Sequence, residues 1–572
     1  MKKEKTARVT VVIVAVLIAL ALAGLLVSYA TSSFPFNNPA VQPSDVGQLD
    51  PGTQPDGGTT GDDPAADAAQ QQGAYAYQTT RISALYSENK NTTYFLVNDR
   101  LLADTIQGVC SFSGNSNDGA KSFYVSEDGK GYVVSAEGLQ VVANDTAAFP
   151  DAVFSADGSK LAYSSFDGSR LYIVSATGGQ PQHVDDGYCS SAAFSPDGSI
   201  LVYNAVANGG PSNGMASNPS VDSELRMFRD GQVKTLSDGL GPISVSDDGN
   251  TVYCFKATGK NDSSGESELA ELACVNANTG NVKTICKDSH GDYTVNLEST
   301  EIVYGTESGY YYLAKDGKPQ LIGKYQYMSL MLPSNAYGAK SLKGQTYQGD
   351  SSYKDFNTTA FYLDNDAKVI PVVSKADNCW LSADAQDIYY LKDAGVKSSN
   401  IVVGSLCRRP VHANDKAAGA GLSSGGQSSG VEQKLAENAT EYAVSTDQSQ
   451  VYFVDSKNNL VFVQEDLKTK TVAKEVDPYS LLMSADGYLY FAANDISQDS
   501  WLRCSRLGGS PQQLIENIEH CERFPAGIYV YTLNIEAQPY IDVNLLKGAD
   551  TPLKLAEVVS PVSEGYPQND GL

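Results

Sequence analysis

The sequence predicts an all-β protein, a β-propeller of four-stranded antiparallel blades, preceded by a single N-terminal transmembrane helix and a disordered linker. Three observations predict this architecture. A Ser-x-Asp-Gly turn between apolar runs recurs along the chain, an uncharged apolar stretch follows the first basic residues, and a Pro-, Gly- and Asp-rich stretch separates the two. At 572 residues the chain is too long for one ordinary hydrophobic core, so several domains or an array of repeats are expected.

The apolar stretch predicts a membrane anchor. Residues 1–8 are a short basic segment, and residues 9–30 carry no charge. At the rise of a helix this stretch extends about 33 Å, enough to cross the hydrocarbon of a bilayer. The basic segment should stay cytoplasmic and leave the remaining chain outside. A cleaved signal peptide is the alternative, because Ser28-Tyr29-Ala30 resembles a cleavage site, although signal-peptide cores are usually shorter.

The linker covers residues 31–73. It contains no Lys or Arg and is dense in Pro, Gly, Asp and Gln. Such a composition buries too little apolar surface to offset chain entropy, so we expect a disordered tether. As a flexible coil it would reach roughly 35–40 Å. The tether would therefore hold a folded region away from the membrane.

The repeated turn marks short paired strands. AVFSADGSKLAYSS, AAFSPDGSILVYN and ISVSDDGNTVYCF begin at residues 152, 192 and 243, and weaker copies begin at residues 379, 442 and 481. In the clearest copies a second hairpin follows, for example after Ser169 and Glu224. Four antiparallel strands in about forty residues match the size of one propeller blade.

The turn residues have a structural explanation. Pro fixes φ at the first corner of a type I turn, Asp suits the second corner, and Gly follows naturally. One structural role, repeated in each blade, explains the recurrence better than catalysis does. The residues expected to form these turns are Asp157, Gly158, Ser195, Pro196, Asp197, Gly198, Asp248, Gly249, Asp384, Asp447, Asp486 and Gly487.

These repeats resemble those of TolB-like and WD-repeat-like β-propellers, which also include the propeller domains of prolyl oligopeptidase relatives. The resemblance covers about residues 74–558 and is strongest from 150 to 290. It implies a propeller fold but not a role, since such propellers serve many functions. The anchor and tether depart from TolB, so the role of TolB is not transferred to this chain.

Blade counting leaves the domain division open. Four-strand units can be drawn from about 108, 149, 189, 241, 291, 327, 377, 440, 479 and 519, with a partial unit from about 74. This exceeds the usual number for one propeller. Either one large propeller or two tandem propellers, at about 74–325 and 326–558, would accommodate the units, with a C-terminal tail at 559–572. A third possibility is that degenerate regions such as Lys340–Asp355 have been divided into too many units.

Composition limits the partners and cofactors. The net charge is −26, which disfavours nucleic acid as a partner because no basic patch is present. Four scattered His residues give little support for a metal site, and no catalytic, cofactor-binding or metal-binding residue is assigned. No cofactor is expected, although weak Ca²⁺ binding is conceivable at acidic turns such as Asp185-Asp186 and Asp247-Asp248. There are nine cysteines, so at least one lacks an intramolecular disulfide partner. Cys254, Cys274 and Cys286 lie on neighbouring strands of one expected sheet, so two of them could form a disulfide.

One hydrolase-like motif occurs, at Gly426–Gly430. A nucleophile elbow needs a strand before the serine and a helix after it. Here the motif lies in a Gly/Ser-rich segment, Arg408–Gly430, that reads as a mobile insertion. The match is interpreted as chance.

Loop length suggests where a partner binds. Long insertions at Ala205–Ser223, Ala257–Glu268 and Ala492–Ser500 would project from one face of the blades, and rigid scaffolds commonly carry function on such loops. Sequence drift in tolerant loops explains the insertions equally well.

The sequence therefore predicts a single-pass cell-membrane protein whose extracytoplasmic propeller binds an envelope protein, peptide or glycan without catalysis. The alternative is an extracytoplasmic lyase or hydrolase that uses carboxylates and Tyr around a central channel. A sensory ectodomain is a third possibility, but it would need a membrane partner to signal.

Overall fold

The structure is a computed structural model. It describes residues 74–561 except 88–89, 99, 147–151, 207–222, 262–267, 316, 334–335, 351–357, 397–401, 413–430, 485, 494–500, 517, 525–526 and 534–540. The predicted basic segment, transmembrane helix and tether lie outside the described residues. Within the described ranges, no helix has the length and apolar character needed to span a bilayer.

The described chain is all-β and consists mainly of four-stranded antiparallel sheets, which confirms the predicted fold class at that level. Five short strands come first, and they are β1 (Tyr75–Tyr77), β2 (Ile82–Ser87), β3 (Thr92–Val97), β4 (Arg100–Leu101) and β5 (Ile106–Gln107). Ten blades, numbered 1–10 in chain order, follow them, and some of these blades are joined in one continuous sheet. The alternation of buried and exposed residues along strands such as β16 explains why these segments form half-buried strands.

Blades 1–3 are separate four-stranded sheets. Blade 1 contains β6 (Cys110–Asn115), β7 (Lys121–Ser126), β8 (Gly131–Ser135) and β9 (Gly138–Ala143); blade 2 contains β10 (Val153–Phe154), β11 (Lys160–Ser164), β12 (Arg170–Ser175) and β13 (Gln182–Asp186); and blade 3 contains β14 (Tyr188–Phe194), β15 (Ile200–Val206), β16 (Ser223–Arg229) and β17 (Gln232–Asp238).

Blades 4 and 5 share a strand. Their strands are β18 (Gly241–Val245), β19 (Val252–Asn261), β20 (Glu268–Val275), the shared β21 (Val282–Val295), β22 (Glu301–Thr306), β23 (Gly309–Ala314) and β24 (Gln320–Gly323). The first half of β21 pairs with β20, and the second half pairs with β22. One long bulged strand therefore serves as the fourth strand of one blade and the first strand of the next.

Blades 6–8 are joined in the same way through β29 and β32. Their strands, with a short additional strand β26, are β25 (Tyr327–Leu330), β26 (Ala336–Ala339), β27 (Gln345–Asp350), β28 (Thr358–Leu363), β29 (Val369–Leu381), β30 (Asp387–Val396), β31 (Val402–Pro410), β32 (Gln433–Val444), β33 (Val451–Asp455), β34 (Leu460–Val463) and β35 (Thr469–Ala473).

Blades 9 and 10 complete the series, and a single 3₁₀ turn, Pro478–Ser480, precedes blade 9. Their strands are β36 (Leu482–Met483), β37 (Leu489–Ala493), β38 (Trp501–Ser505), β39 (Gln512–Glu516), β40 (Ile518–Phe524), β41 (Gly527–Leu533), β42 (Ile541–Leu546) and β43 (Leu553–Pro561).

An eleventh blade, called the closing blade, combines both ends of the described chain. The last two residues of β43, Ser560 and Pro561, pair with Tyr86 and Leu85 of β2, and β2 pairs with β3. β43 therefore runs past residue 558, where the sequence places the end of the propeller region. The closing blade joins blade 10 to the N-terminal strands.

Buried hydrophobic clusters lie between neighbouring blades all along the series. Phe123 and Leu161 belong to the cluster between blades 1 and 2, and Phe95 and Tyr124 belong to the cluster between the closing blade and blade 1. Blade 5 also packs on blade 6, at the position where the sequence allows a boundary between two propellers. The packing therefore runs from blade 1 through blade 10 and the closing blade back to blade 1, while the choice between one propeller and two stays a prediction.

β1 does not join a blade. It pairs with β26 in a two-stranded ribbon, in which Tyr75 lies opposite Ala339. Beside the ribbon, Thr79 N donates to Asp118 O of blade 1 at 3.0 Å, and Leu297 N of blade 5 donates to Ala339 O at 2.9 Å. The ribbon thus links the start of the described chain to blades 1, 5 and 6.

Candidate functional site

Each blade has two ends of different character. The turns that join the first to the second strand, and the third to the fourth, lie at one end, which we call the turn face. The connections between the second and third strands, and the crossings from blade to blade, lie at the other end, which we call the loop face. Antiparallel pairing places them so because successive connections alternate between the two ends of a sheet.

The repeated turns lie on the turn face and share one hydrogen-bond pattern. In blade 3, Ser195 Oγ donates to Asp197 Oδ1 at 2.6 Å, Ser199 N donates to the same oxygen at 2.9 Å, and Ile200 N donates to Ser195 Oγ at 3.0 Å. Gly198, which follows Pro196 and Asp197, has φ +66°, a conformation that glycine adopts without strain.

The Ser–Asp hydrogen bond recurs in the other predicted turns. It joins Ser155 to Asp157, Ser246 to Asp248, Ser382 to Asp384, Ser445 to Asp447 and Ser484 to Asp486. Gly158, Gly249 and Gly487 also have positive φ. The same bond joins Ser116 to Asp118 of blade 1, where Ser116-Asn117-Asp118-Gly119 carries the same motif although it is not among the predicted turn residues.

Side chains on the turn face also connect neighbouring blades. Lys121 Nζ of blade 1 donates to Gly158 O of blade 2 at 2.7 Å, and Lys160 Nζ of blade 2 donates to Gly198 O of blade 3 at 2.6 Å. Gln450 Nε2 of blade 8 donates to the carbonyl oxygen of the blade 9 turn at 3.0 Å. The turns of one blade thus accept hydrogen bonds from the blade before it.

The paired acids considered for Ca²⁺ have protein partners. Asp185 Oδ2 accepts from Arg226 at 2.6 Å and from Tyr203 Oη at 2.7 Å. Asp247 Oδ1 accepts from Asp197 N at 2.7 Å, and burial together with the Asp197 carboxylate raises the pKa of Asp247. No cluster of three or more His, Cys, Asp or Glu able to hold a metal occurs among the residues that the structure describes. Ca²⁺ binding stays a prediction.

The predicted insertions fall mostly outside the described residues. This holds for 207–222, 262–267 and 494–500 and for the Gly426–Gly430 motif. The segment predicted to begin a mobile insertion at Arg408 is different, because Arg408–Pro410 belongs to β31 and Arg408 Nη2 donates to Asp387 Oδ2 at 2.6 Å. The expectation was wrong at these residues because cross-strand pairing and an ion pair order them.

A polar cluster lies on the loop face, where β29 and β32 cross into blades 7 and 8. Asn378 Nδ2 donates to Glu441 Oε1 at 2.6 Å, and Tyr442 Oη donates to the carbonyl oxygens of Asn378 and Tyr389. Asp377 lies beside them. We call Asp377, Asn378, Glu441 and Tyr442 the crossing site.

The local backbone explains why these side chains meet. β29 has an irregular register between Asp377 and Trp380, and β32 has one between Ala439 and Glu441. Asn378 has φ +47°, which a non-glycine residue adopts at a cost in free energy. Asn378 is nevertheless exposed, while Glu441 and Asp377 are partly exposed. The bulges turn polar side chains toward one another at the edge of an otherwise apolar strand.

Protonation at the crossing site differs from that of ordinary acids. Burial, with a contribution from Asp377, raises the pKa of Glu441 to about 7 despite the hydrogen bonds from Asn378 and Tyr442 N. Burial and the Asp350 carboxylate raise the pKa of Asp377. A carboxyl group that titrates near neutral pH, beside an exposed amide, can bind a polar ligand or exchange a proton with one.

Sequence reasoning did not single out the crossing site. Its residues lie in KADNCW and NATEY, directly before two of the weaker repeat copies. The sequence feature that could have indicated the site is an acidic or amide residue within an apolar strand just before a repeat copy. This feature indicates a site only when the two strands, some sixty residues apart in the chain, are known to lie side by side.

The cysteines considered for a disulfide lie in blade 4. Cys254 is opposite Ala273, whereas Tyr253 is opposite Cys274. Because side chains alternate between the faces of a sheet, Cys254 and Cys274 point to opposite faces and cannot bond to each other there. Burial holds the pKa of Cys254 well above its usual value, so this thiol behaves as a small core residue.

Comparisons with known proteins identify no family. No family model matches the chain, and no curated protein matches it. Solved structures give partial matches with low TM-scores. TolB from Acinetobacter baumannii is 13% identical over 52% of this chain and 80% of its own, with a TM-score of 0.24.

Two further matches are of the same kind. An oligogalacturonate lyase from Vibrio parahaemolyticus is 13% identical, covers 69% of this chain and 100% of its own, and has a TM-score of 0.30. A eukaryotic initiation factor is 11% identical, covers 73% of this chain and 97% of its own, and has a TM-score of 0.32. These partial likenesses assign no role to this chain, so function must be argued from its own residues.

Proposed function

We propose that the protein is a membrane-tethered, extracytoplasmic β-propeller that acts as a non-catalytic binding or scaffold module. Its partner would be an envelope protein, peptide or glycan, held on the loop face. The N-terminal helix would keep the protein in the cell membrane as a single-pass protein, and the tether would give the propeller its reach.

The crossing site is the observation that carries this proposal. It presents an exposed amide at a strained backbone position, beside a carboxyl group with a raised pKa, and both features are concentrated at functional sites. The turn face differs, since its recurring side chains bond to neighbouring blades. A partner would therefore meet an exposed amide and a partly exposed carboxyl group on the loop face.

Recovery of a partner by variants of the full chain tests this proposal. Wild-type protein, Asn378→Ala and Glu441→Ala would each serve as bait in detergent-solubilised cells. Glu137→Gln is the matched control, because Glu137 is an exposed acid on the turn face. We expect one envelope component to be recovered with wild type and control, and at least about tenfold less with the crossing-site variants.

Two results would contradict the proposal. One is that all four baits recover the same component equally, which would place binding elsewhere. The other is that no component is recovered by any bait. Circular dichroism of each purified variant establishes that a loss of binding does not reflect unfolding.

An extracytoplasmic lyase or hydrolase is the second candidate function, favoured by the titration of Glu441 alone. A carboxyl group with a pKa of about 7 is suited to general acid–base catalysis at neutral pH. Turnover of acidic glycans and peptides by purified protein tests it. An enzyme should lose activity by about two orders of magnitude in Glu441→Gln, whereas absence of turnover in the wild type across these substrates rejects this candidate.

A further inference from the structure

An exposed aromatic side chain lies on the loop face of blade 2. Phe166 lies in the turn between β11 and β12 and is 64% exposed. This turn has the Ser-x-Asp-Gly pattern of the turn face, with Ser165 Oγ donating to Asp167 Oδ1 at 2.6 Å and Arg170 N donating to Ser165 Oγ at 3.0 Å. Leaving a large apolar ring in water forgoes the free energy that its burial would provide.

Two neighbours lie beside the turn that carries the ring. Phe166 N donates to Asp145 Oδ1 at 3.3 Å, which ties the turn to the crossing between blades 1 and 2. The ring lies against Gly129 of the adjacent turn in blade 1, where a Cβ would stand 3.5 Å from Phe166 Cδ2. An aromatic side chain positioned in this way loses little conformational entropy when a partner covers it.

The surroundings of Phe166 are acidic. Glu127, Asp128, Asp145 and Asp167 are all exposed, and the nearby cations are Lys130, bound to Asp128 at 2.6 Å, and Arg170, bound to Asp145 at 3.2 Å. Hydrogen bonds from Ser165 and then Ser169 hold the pKa of Asp167 well below its usual value, so it stays ionised. Carboxylates thus outnumber cations around the ring.

We propose that Phe166 and its acidic surround, called the Phe166 tip, dock a cationic segment of a partner protein that offers an apolar pocket for the ring. The proposal rests on the proposed binding role of the loop face. Charge complementarity selects this occupant, because negative potential attracts Lys- and Arg-rich surfaces and repels acidic proteins and anionic lipid. The ring would be the anchor that is buried in the partner's pocket. The carboxylates would orient the cationic segment of the partner.

Site-specific photo-crosslinking in cells tests the docking point. p-Benzoylphenylalanine would replace Phe166, Asn378 or Leu507 in three separate full-length variants. Leu507 is the matched control, since it is 63% exposed in a turn but lies on the turn face. We expect a crosslinked protein from position 166, none from position 507, and a crosslink mapped by mass spectrometry to a segment rich in Lys or Arg.

The outcomes separate this inference from the proposed function. Crosslinks from position 378 but none from 166 overturn the docking point and leave binding on the loop face intact. Crosslinks from neither position contradict both. A crosslink from 166 to an acidic or uncharged segment, to lipid or to glycan, or an equal crosslink from 507, overturns the inference.

Binding of the mapped segment, made as a synthetic peptide, provides a second measurement. Phe166→Ala should weaken its binding to the full-length protein at least about tenfold, while Leu507→Ala leaves it unchanged. Raising the ionic strength from 0.05 to 0.5 M should weaken wild-type binding by about tenfold or more, because the surface charges are screened. A Phe166→Ala variant that binds as tightly as wild type overturns the proposal.

Discussion

The turn face and the loop face use the same backbone scaffold in different ways. On the turn face, serine, aspartate and lysine side chains are committed to the turns and to the next blade, as in the Lys160–Gly198 contact. On the loop face, the crossing site and the Phe166 tip present an amide, carboxylates and an aromatic ring to solvent. The serine and aspartate of the repeated turns therefore stabilise the fold, whereas the crossing site and the variable position of the Phe166 turn present side chains to solvent.

The largest expected effect concerns the turn face at the β1–β26 ribbon. Gly119 has φ +70°, and a Cβ there would stand 2.1 Å from Thr80 O. Gly119→Ala should lower the free energy of unfolding by about 3 kcal/mol, through a clash and an unfavourable φ. Urea unfolding measures the change. Gly259→Ala, at φ +65° with no atom within 4 Å, is the control and should cost only about 1 kcal/mol.

A smaller loss is expected when the repeated aspartate is removed. Asp197→Ala should destabilise the protein by about 1–2 kcal/mol, because Ser199 N and Ser195 Oγ lose their acceptor. Asp197→Asn keeps an acceptor oxygen, so its free energy of unfolding should fall by less than that of Asp197→Ala. Asp167→Ala removes the same bonds from the loop face. A similar loss in thermal unfolding would show that the motif stabilises both faces, and a negligible loss at both positions would contradict its structural role.

A gain in stability is expected where the turn pattern lacks glycine. Leu467 occupies the glycine slot of the β34–β35 turn, with φ +63° and 42% exposure. Leu467→Gly should raise the free energy of unfolding by about 0.5–1 kcal/mol, since glycine adopts this conformation without strain. Leu467→Ala keeps the strain and serves as control. Equal stability of the two variants would refute this reason.

A pH-dependent effect on stability is expected at the crossing site. The pKa of Glu441 in the folded state, about 7, lies above its ordinary value. Between about pH 4.5 and 7 the folded state therefore binds more protons than the unfolded state does. Stability from this group is present below pH 4.5 and is lost as pH rises through 7. Glu441→Gln should remove that decline in unfolding free energy. An identical pH profile in wild type and variant would contradict the raised pKa.

Much of the architecture was predictable from local patterns. Several predicted units begin close to the first strand of a blade, as at 241 and 327, because each strand pair and turn is specified by a short stretch of sequence. The units predicted from 291, 377 and 440 begin inside the long shared strands β21, β29 and β32. The turn of blade 5 lacks the Ser–Asp pair but has an equivalent set of hydrogen bonds. There, Asn296 Oδ1 accepts from the backbone N of Thr300 and of Glu301. The membrane anchor and the localisation stay predictions.

The closing blade and the ribbon were not predictable in the same way. The Tyr86–Ser560 and Tyr75–Ala339 pairs join residues far apart in the chain. Short strands such as β1 and the end of β43 carry no pattern that selects one edge over another. Their partners depend on which edges the completed blades leave open.

The sequence by itself determined the blades, because turn chemistry and alternating hydrophobicity act over a few neighbouring residues. Only the tertiary structure decided which residues meet across blades. It brought Asn378 to Glu441 and placed Phe166 against Gly129. Burial and neighbouring charge then shifted the pKa of Glu441, and both depend on how separate strands pack in three dimensions.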